Sequence, residues 1–445
     1  MITSTAWAGK TYGVYGLART GKSVVAALEA SGAKVAAWDD SEAARMAFGG
    51  ALTDLNDAHL GGMAAMIVSP GVPHDAPVFA RAVAAGIPVI GDIELFAQAR
   101  GELPPHKVVG VTGTNGKSTC AALIHHILAS AGIPARLGGN IGAPILSEEP
   151  LPAGGVYVLE LSSFQLDLTF SLVSEVAVLL NITPDHLDRH GSMEAYAKAK
   201  ARLFEMQVPA DTAVIALDDG FVRDIAEVAV ARVVPVSAAR VVDEGVSVTG
   251  GRLTIDGADA GNQADWPTLA GPHNAQNAAA AVAATLALGV PRDAVMRGLA
   301  TYAGLPHRME RVATIGGVAY VNDSKATNPT SAAPALAAFA HVHWIAGGLA
   351  KTGELNACLP FLGHVRAAYL IGDAAPVFAA LLDGEVPVML AGTLDHAVAL
   401  AAATAGAGDT VLLSPACASF DQFTDYAARG QAFRAIVEAL GARRP

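Results

Sequence analysis

The chain has little of what marks several broad classes of protein. Its three cysteines, Cys120, Cys358 and Cys417, are far apart in 445 residues. That excludes a disulfide framework and a zinc site, and it fits a reducing cytoplasm. No apolar run reaches the roughly 18 residues that a membrane helix needs. The start, Met1 to Trp7, lacks a basic stretch followed by an apolar one, so no signal peptide is expected. Positive charge is also scarce. Lys and Arg number 29 against 41 Asp and Glu, and a net charge of −12 argues against nucleic acid or an anionic membrane as partner. An anionic substrate therefore needs a local cationic pocket. What is abundant is apolar: 52% hydrophobic residues can bury sizeable cores. The length suits about three domains.

The most informative stretch is Gly110-Val-Thr-Gly-Thr-Asn-Gly-Lys-Ser-Thr119. Lys107-Val-Val before it reads as a buried strand, and Cys120 to Leu128 after it as a helix. Strand, glycine-rich turn, Lys-Ser/Thr and helix make a phosphate cradle. Lys117 is expected to reach the outer phosphates of ATP, and Ser118 or Thr119 to hold Mg²⁺. The strict spacing G-x-x-x-x-G-K-S occurs elsewhere, at Gly16 to Ser23, whereas the later loop has Val111 where that pattern needs glycine. The residues that follow each loop have to decide between them.

Residues 11–40 read as a βαβ unit: a strand at Tyr12–Tyr15, a turn from Gly16 to Gly21, a helix from Ser23 and a second strand ending at Asp39-Asp40. The glycines either bind a ligand or simply make the turn. Met66-Ile-Val-Ser-Pro-Gly71 is another strand with a turn at its carboxyl end. After the later loop, Val156 to Glu160 is a strand ending in a carboxylate, followed by Ser162-Ser163. Val176 to Leu180 is a strand followed by Asn181-Ile-Thr-Pro-Asp-His186. Glu160 and His186 are candidates for Mg²⁺ or phosphate, because open sheets bind ligands at the carboxyl ends of strands. The alternative for His186 is a hydrogen-bonded loop residue.

A helix is expected over 193–206, its apolar stripe running through Tyr196, Ala199 and Leu203. Lys200 lies on that stripe, while Lys198 is about 200° from Tyr196 and faces out. Burial lowers a lysine pKa, so Lys200 is a candidate nucleophile, base or site of carbamylation by CO₂. The alternative is a long stem that snorkels to water. Residues 211–260 read as short strands with a hairpin at Thr249-Gly-Gly-Arg252. Asn274 and Asn277 open an alanine-rich helix, as nucleotide ligands or as caps. Gly304-Leu-Pro-His-Arg308 reads as a linker. A last α/β region has strands at 319–322, 342–345, 368–371 and 410–413. At their ends, Lys325, Lys351 and several hydroxyls suit a small carboxylate substrate.

These residues leave three readings: a ligase, an NAD-dependent dehydrogenase built on the Gly16 turn, and a non-catalytic nucleotide-binding regulator. The combination decides. Thr112-Gly-Thr-Asn-Gly-Lys-Ser-Thr, Glu160-Leu-Ser-Ser-Phe-Gln-Leu, Asn181-Ile-Thr-Pro-Asp-His-Leu-Asp, His273-Asn-x-x-Asn and Asp323-Ser-Lys-Ala-Thr-Asn resemble the Mur ligase family. Those are three-domain, ATP-dependent amide ligases of peptidoglycan precursor synthesis. Ser414-Pro-Ala-Cys-Ala-Ser-Phe-Asp-Gln-Phe is similar to the ending of the member that joins D-glutamate to UDP-N-acetylmuramoyl-L-alanine. The resemblance covers the whole chain, including Gly91-Asp-Ile-Glu-Leu-Phe.

The resemblance implies an α/β fold of three domains. They are a Rossmann-like UDP-binding domain over 1–98, a central P-loop-type ATPase sheet over 99–303 and a Rossmann-like amino-acid domain over 304–445. It implies that ATP contacts Gly113, Thr114, Asn115, Gly116, Lys117, Ser118, Thr119, Asn274, Asn277, Arg308 and Asp323. The UDP substrate is assigned to Gly16, Leu17, Ala18, Arg19, Thr20, Asp39, Ser69, Pro70, Gly71, Asn140 and Ser162. Glutamate falls to Lys325, Thr327, Lys351, Ser419 and Tyr426. The last stands where the family has Phe, which leaves its role open. Catalysis is assigned to Lys117, Glu160, His186 and Lys200, and two Mg²⁺ to Ser118, Glu160, His186 and a carbamate on Lys200. A cytoplasmic monomer is expected.

Overall fold

A computed structural model describes residues 1–350 and 353–443. Among these residues the strands form three sheets. The first is parallel, in the order β2-β1-β3-β4, from β1 (Thr11–Tyr15), β2 (Lys34–Trp38), β3 (Ala65–Val68) and β4 (Val89–Ile90). The second has nine strands: β5 (His106–Thr112), β6 (Ala135–Gly139), β7 (Gly155–Glu160), β8 (Val176–Leu179), β9 (Thr212–Ala216), β10 (Arg232–Ser237), β11 (Val246–Thr249), β12 (Arg252–Ile255) and β13 (Ala258–Asn262). Their order is β13-β12-β11-β10-β9-β8-β5-β7-β6, parallel except for the β11–β12–β13 meander.

The third sheet runs β14-β15-β19-β16-β17-β18. Its strands are β14 (Glu310–Ile315), β15 (Val318–Asn322), β16 (Val342–Gly347), β17 (Val365–Ile371), β18 (Val388–Gly392) and β19 (Thr410–Leu413). Only β14 is antiparallel to its neighbour. By contacts the chain forms two compact units. One is 1–265 with 275–301, holding the first two sheets, and the other is 266–274 with 302–445.

Strand chemistry follows from burial. Every residue of β7, β8 and β9 is buried, as expected of parallel strands covered on both faces. In the first sheet β1 lies between β2 and β3, and in the second β5 lies between β7 and β8. The order in which strands are added reverses beside each of these strands, and the two glycine-rich turns leave from their carboxyl ends. That is where open α/β sheets form ligand crevices.

Three expectations change. The helix after β1 begins at Arg19, so the turn is only Gly16–Ala18 and Gly21 already lies inside the helix. Residues 220–228 form a helix, not a strand; the Asp219 side chain caps it by accepting from the Val222 N–H. Its apolar Val222 and Ile225 recur at helical spacing inside a stretch that otherwise alternates. Strands β6, β14 and β18 form where no strand is expected. The hairpin at Thr249–Arg252 is present.

Candidate active site

Beyond β5 the chain turns through Gly113 (φ +147°) and Gly116 (φ +84°) into the helix Lys117–Ser130. Gly116 is left-handed, a backbone that favours glycine, and a Cβ there would lie 2.2 Å from Oδ1 of Asn277 and force that side chain to move. Lys117 folds back across the turn and donates to the carbonyls of Gly113 (2.9 Å) and Thr114 (2.7 Å). The loop backbone is clamped from β8. Thr114 N–H donates to the Asn181 carbonyl, and Asn115 N–H to Asn181 Oδ1, at 2.7 and 2.8 Å. The turn therefore presents its helix-facing end to a ligand, where first-turn N–H groups and the helix dipole favour an anion.

Lys200 is 1% exposed on the helix Met193–Glu205, and Lys198 is exposed. The Lys200 amine donates to the Gly113 carbonyl at 2.8 Å, sharing it with Lys117, and lies 4.4 Å from the Tyr196 ring centre. Burial, then the nearby Lys117 cation, pushes its pKa well below that of an ordinary lysine. The Tyr196 hydroxyl meets Thr114 Oγ1 at 3.2 Å, and burial raises its pKa to about 12.

Glu160 ends β7, between β5 and β6. It is 3% exposed. One carboxylate oxygen accepts from the Asn140 amide at 2.8 Å, while the other, Oε2, is buried with no hydrogen-bond partner. A buried carboxylate oxygen left open is a hard donor suited to Mg²⁺. His186 lies on an exposed left-handed turn (φ 52°), 3.4 Å from Asp185 and edge-on to Phe164. Among the described residues no three His, Cys, Asp or Glu side chains form a ready metal cage. The fit to Mg²⁺ rests on Glu160 Oε2 and the Ser118 hydroxyl.

A cleft of about 570 Å³ opens at the carboxyl ends of β1 and β6. It is lined by Gly16, Ala18, Arg19, Thr20, Asp39, Ser69, Pro70, Gly71 and Asn140, so most of the expected UDP set converges there. Asp39 accepts from Leu17 N–H (2.6 Å) and Ser41 N–H (2.8 Å), fixing the turn. Arg19 crosses to the Gly142 carbonyl at 2.9 Å. Leu17 is buried and does not line the cleft; its N–H is taken by Asp39. Ser162 is not in the lining; it caps the helix Ser163–Asp167 in a capping box with Gln165. Lys22 points elsewhere, to the Ala47 carbonyl.

In the second unit, Asp323 follows β15, buried, accepting from Ser414 Oγ and Met309 N–H. Burial raises its pKa to about 7. Ser419 is buried, its hydroxyl without a hydrogen-bond partner. Lys325 lies 3.9 Å over the Tyr426 ring. Asn274 donates to the Ala270 carbonyl. Thr327 and Arg308 are half-buried. Lys351 lies outside the described residues.

Three family models match in chain order. They are the Mur ligase MurD-like N-terminal domain over 10–91, the Mur ligase middle domain over 111–285 and the Mur ligase glutamate ligase domain over 307–417. The chain belongs to the Mur ligase family. Curated Mur ligases similar to it include UDP-N-acetylmuramoylalanine--D-glutamate ligases of Sphingopyxis alaskensis and Zymomonas mobilis. The first is 56% identical over 99% of this chain and 100% of its own, the second 51% over the same shares. Among solved structures the fold is similar to UDP-N-acetylmuramate-alanine ligase from Thermotoga maritima. That match has a TM-score of 0.61 and 17% identity over 98% of this chain and 100% of that one.

Within this Mur ligase, sequence reasoning missed what holds the site rather than what fills it. Tyr15, Asp40, Gly139, Gly142 and Gln165 also line the cleft. Tyr196 was seen as an apolar stripe residue, yet its hydroxyl bonds the phosphate loop. The Asn140–Glu160 bond joins the cleft to the carboxylate beside the loop. Asp40 and Gln165 lay inside quoted stretches, and Gly139 and Gly142 flank Asn140, without a hint of pairing.

Proposed function

We propose that this Mur ligase uses ATP to join D-glutamate to UDP-N-acetylmuramoyl-L-alanine in cytoplasmic peptidoglycan precursor synthesis. The curated relatives over half identical across nearly the whole chain carry that activity in their names. The observation that carries the reading is Glu160, one oxygen held from the cleft by Asn140 and the other buried without a hydrogen-bond partner, on the strand that pairs with the one feeding the phosphate loop. Residues 1–98 take the UDP substrate, 99–303 ATP and 304–445 glutamate.

A carboxylate is a poor acyl donor, because its leaving group would be oxide. Phosphorylation by ATP gives an acyl phosphate. The glutamate amine attacks it, and the tetrahedral adduct releases phosphate. Lys117 rests on two neutral carbonyls and can exchange them for phosphate oxygens. Two Mg²⁺ would offset the charge of phosphates and carboxylate brought together. Their oxygen donors would come from Ser118, Glu160 and a carbamate on Lys200, with His186 at their margin. The buried Lys200 amine, its pKa held well below that of an ordinary lysine, can add CO₂ and lose a proton to give that carbamate. Asn277 and Asn274 suit the nucleotide, and Arg308 and Asp323 its phosphate side. Thr327, Ser419, Lys325 and Lys351 suit the glutamate carboxylates, with Tyr426 holding Lys325. The free cysteines fit a reducing compartment. We expect a monomer.

The test is phosphate release from ATP and Mg²⁺ with UDP-N-acetylmuramoyl-L-alanine and a panel of D- and L-amino acids. Release that depends on D-glutamate is expected. Release with another amino acid, or NAD binding without ATP hydrolysis, would overturn the reading.

A further inference from the structure

The phosphate loop is held by a relay of side-chain amides whose direction one distant carboxylate sets. Asn181 grips Asn115 twice: its Oδ1 accepts from the Asn115 N–H at 2.8 Å, and its Nδ2 donates to the Asn115 carbonyl at 3.2 Å. The same Nδ2 donates to Gln276 Oε1 at 2.8 Å. Gln276 Nε2 in turn donates to Asp218 Oδ2 at 3.2 Å. Asp218 follows β9 and also accepts from Ser237 Oγ (2.5 Å) and Ala238 N–H (2.9 Å). The ends of the relay fix its polarity. A carboxylate can only accept, and a backbone N–H can only donate. Between them the two amides have one orientation that makes every bond, and the structure has it.

We propose that Gln276 and Asp218 are positioning residues for ATP, keeping the Asn181 amide in the orientation that clamps the loop at Asn115. This rests on the assignment of ATP to that loop. An amide flip at Gln276 would set its oxygen against the Asp218 carboxylate and its NH₂ against the Asn181 NH₂. Asp218 therefore acts on the loop through two intermediate side chains and touches no substrate.

The test uses steady-state kinetics of the full-length enzyme. Gln276→Glu puts two carboxylates together and leaves no donor toward Asp218. It should raise the KM for ATP about tenfold, the scale of one or two lost hydrogen bonds, with the D-glutamate KM within about twofold. Asp218→Asn should have a smaller effect in the same direction. The double variant Asp218→Asn/Gln276→Glu restores a donor facing an acceptor, and should recover part of the ATP KM lost in Gln276→Glu. A role confined to stability would lower Tm and active-site content without moving the KM for ATP, and the double variant would be no better than the worse single one. That result, or an ATP KM within twofold of wild type in Gln276→Glu, overturns the relay. Lys117→Ala separates the two claims. If it loses ATP-dependent turnover while Gln276→Glu is unaffected, only the relay fails; if it keeps full turnover, the assignment of ATP fails.

Discussion

The stretches Gly16–Ser23 and Gly113–Thr119 share one plan, a parallel strand feeding a glycine-rich turn and a helix, and their lysines do different things. The first keeps the strict glycine-lysine-serine spacing, yet Lys22 is exposed and donates to the Ala47 carbonyl. The second breaks the spacing at Val111, yet Lys117 lies over its own loop. Helix start explains the difference. Lys22 is the fourth residue of its helix, almost a full turn in, whereas Lys117 is the first. In the earlier helix Gly21 is a packing residue, since a Cβ there would lie 1.7 Å from the Gly16 carbonyl oxygen. Spacing reports how tightly helix meets strand. The register of the helix decides whether its lysine faces a ligand.

Substitutions on the two turns can break that comparison. The largest effect is expected for Lys117→Ala, a loss of roughly 10²–10³-fold or more in kcat, the scale for removing one group aimed at developing charge. Phosphate-release assays check it, with Tm unchanged as evidence of an intact fold. Activity within a few-fold of wild type would move ATP off this loop. Lys200→Ala should follow closely, nearly inactive and partly rescued by added acetate, while the exposed Lys198→Ala stays near wild type. A dead Lys198 variant beside an active Lys200 variant would reverse the helix phase.

At the earlier turn, Asp39→Ala removes the acceptor of the Leu17 and Ser41 N–H groups. The KM for the UDP substrate should rise about ten- to hundredfold, from roughly 1.5–3 kcal/mol lost at a charged acceptor. The KM for ATP should hold. An unchanged substrate KM would mean that the cleft serves another ligand. The smallest effect is expected for Lys22→Ala: every KM within about twofold, and stability within about 0.5 kcal/mol, as for a surface site. A tenfold rise in any KM would show that the strict motif uses its lysine after all.

Much of this was legible in the sequence, for identifiable reasons. Buried parallel strands read as apolar runs, so the strand ends carrying Glu160, Asn181 and Asp323 were placed correctly. Lys200 was legible from helical phase alone, because one 100° step per residue separates it cleanly from Lys198. The helix at 220–228 was not, since it is short and sits among strands, with only Asp219 to announce it. The amide relay was illegible for a different reason. Asn115, Asn181, Asp218 and Gln276 are distant in sequence, and hydrogen-bond direction is a property of the folded arrangement. Lys22 shows the opposite failure, a motif fully legible whose lysine serves the surface.

The bond between Asn140 and Glu160 has a thermodynamic consequence. Asn140 lines the cleft, and its amide occupies one oxygen of the carboxylate beside the phosphate loop. A ligand that draws that amide toward itself changes the charge density left on Glu160 for whatever binds there. By linkage, the factor by which the cleft's occupant alters affinity at the loop must equal the factor by which the loop's occupant alters affinity in the cleft. The two compartments thus share a single oxygen as their common ledger, and measuring either affinity with the other site full or empty reads the same number twice.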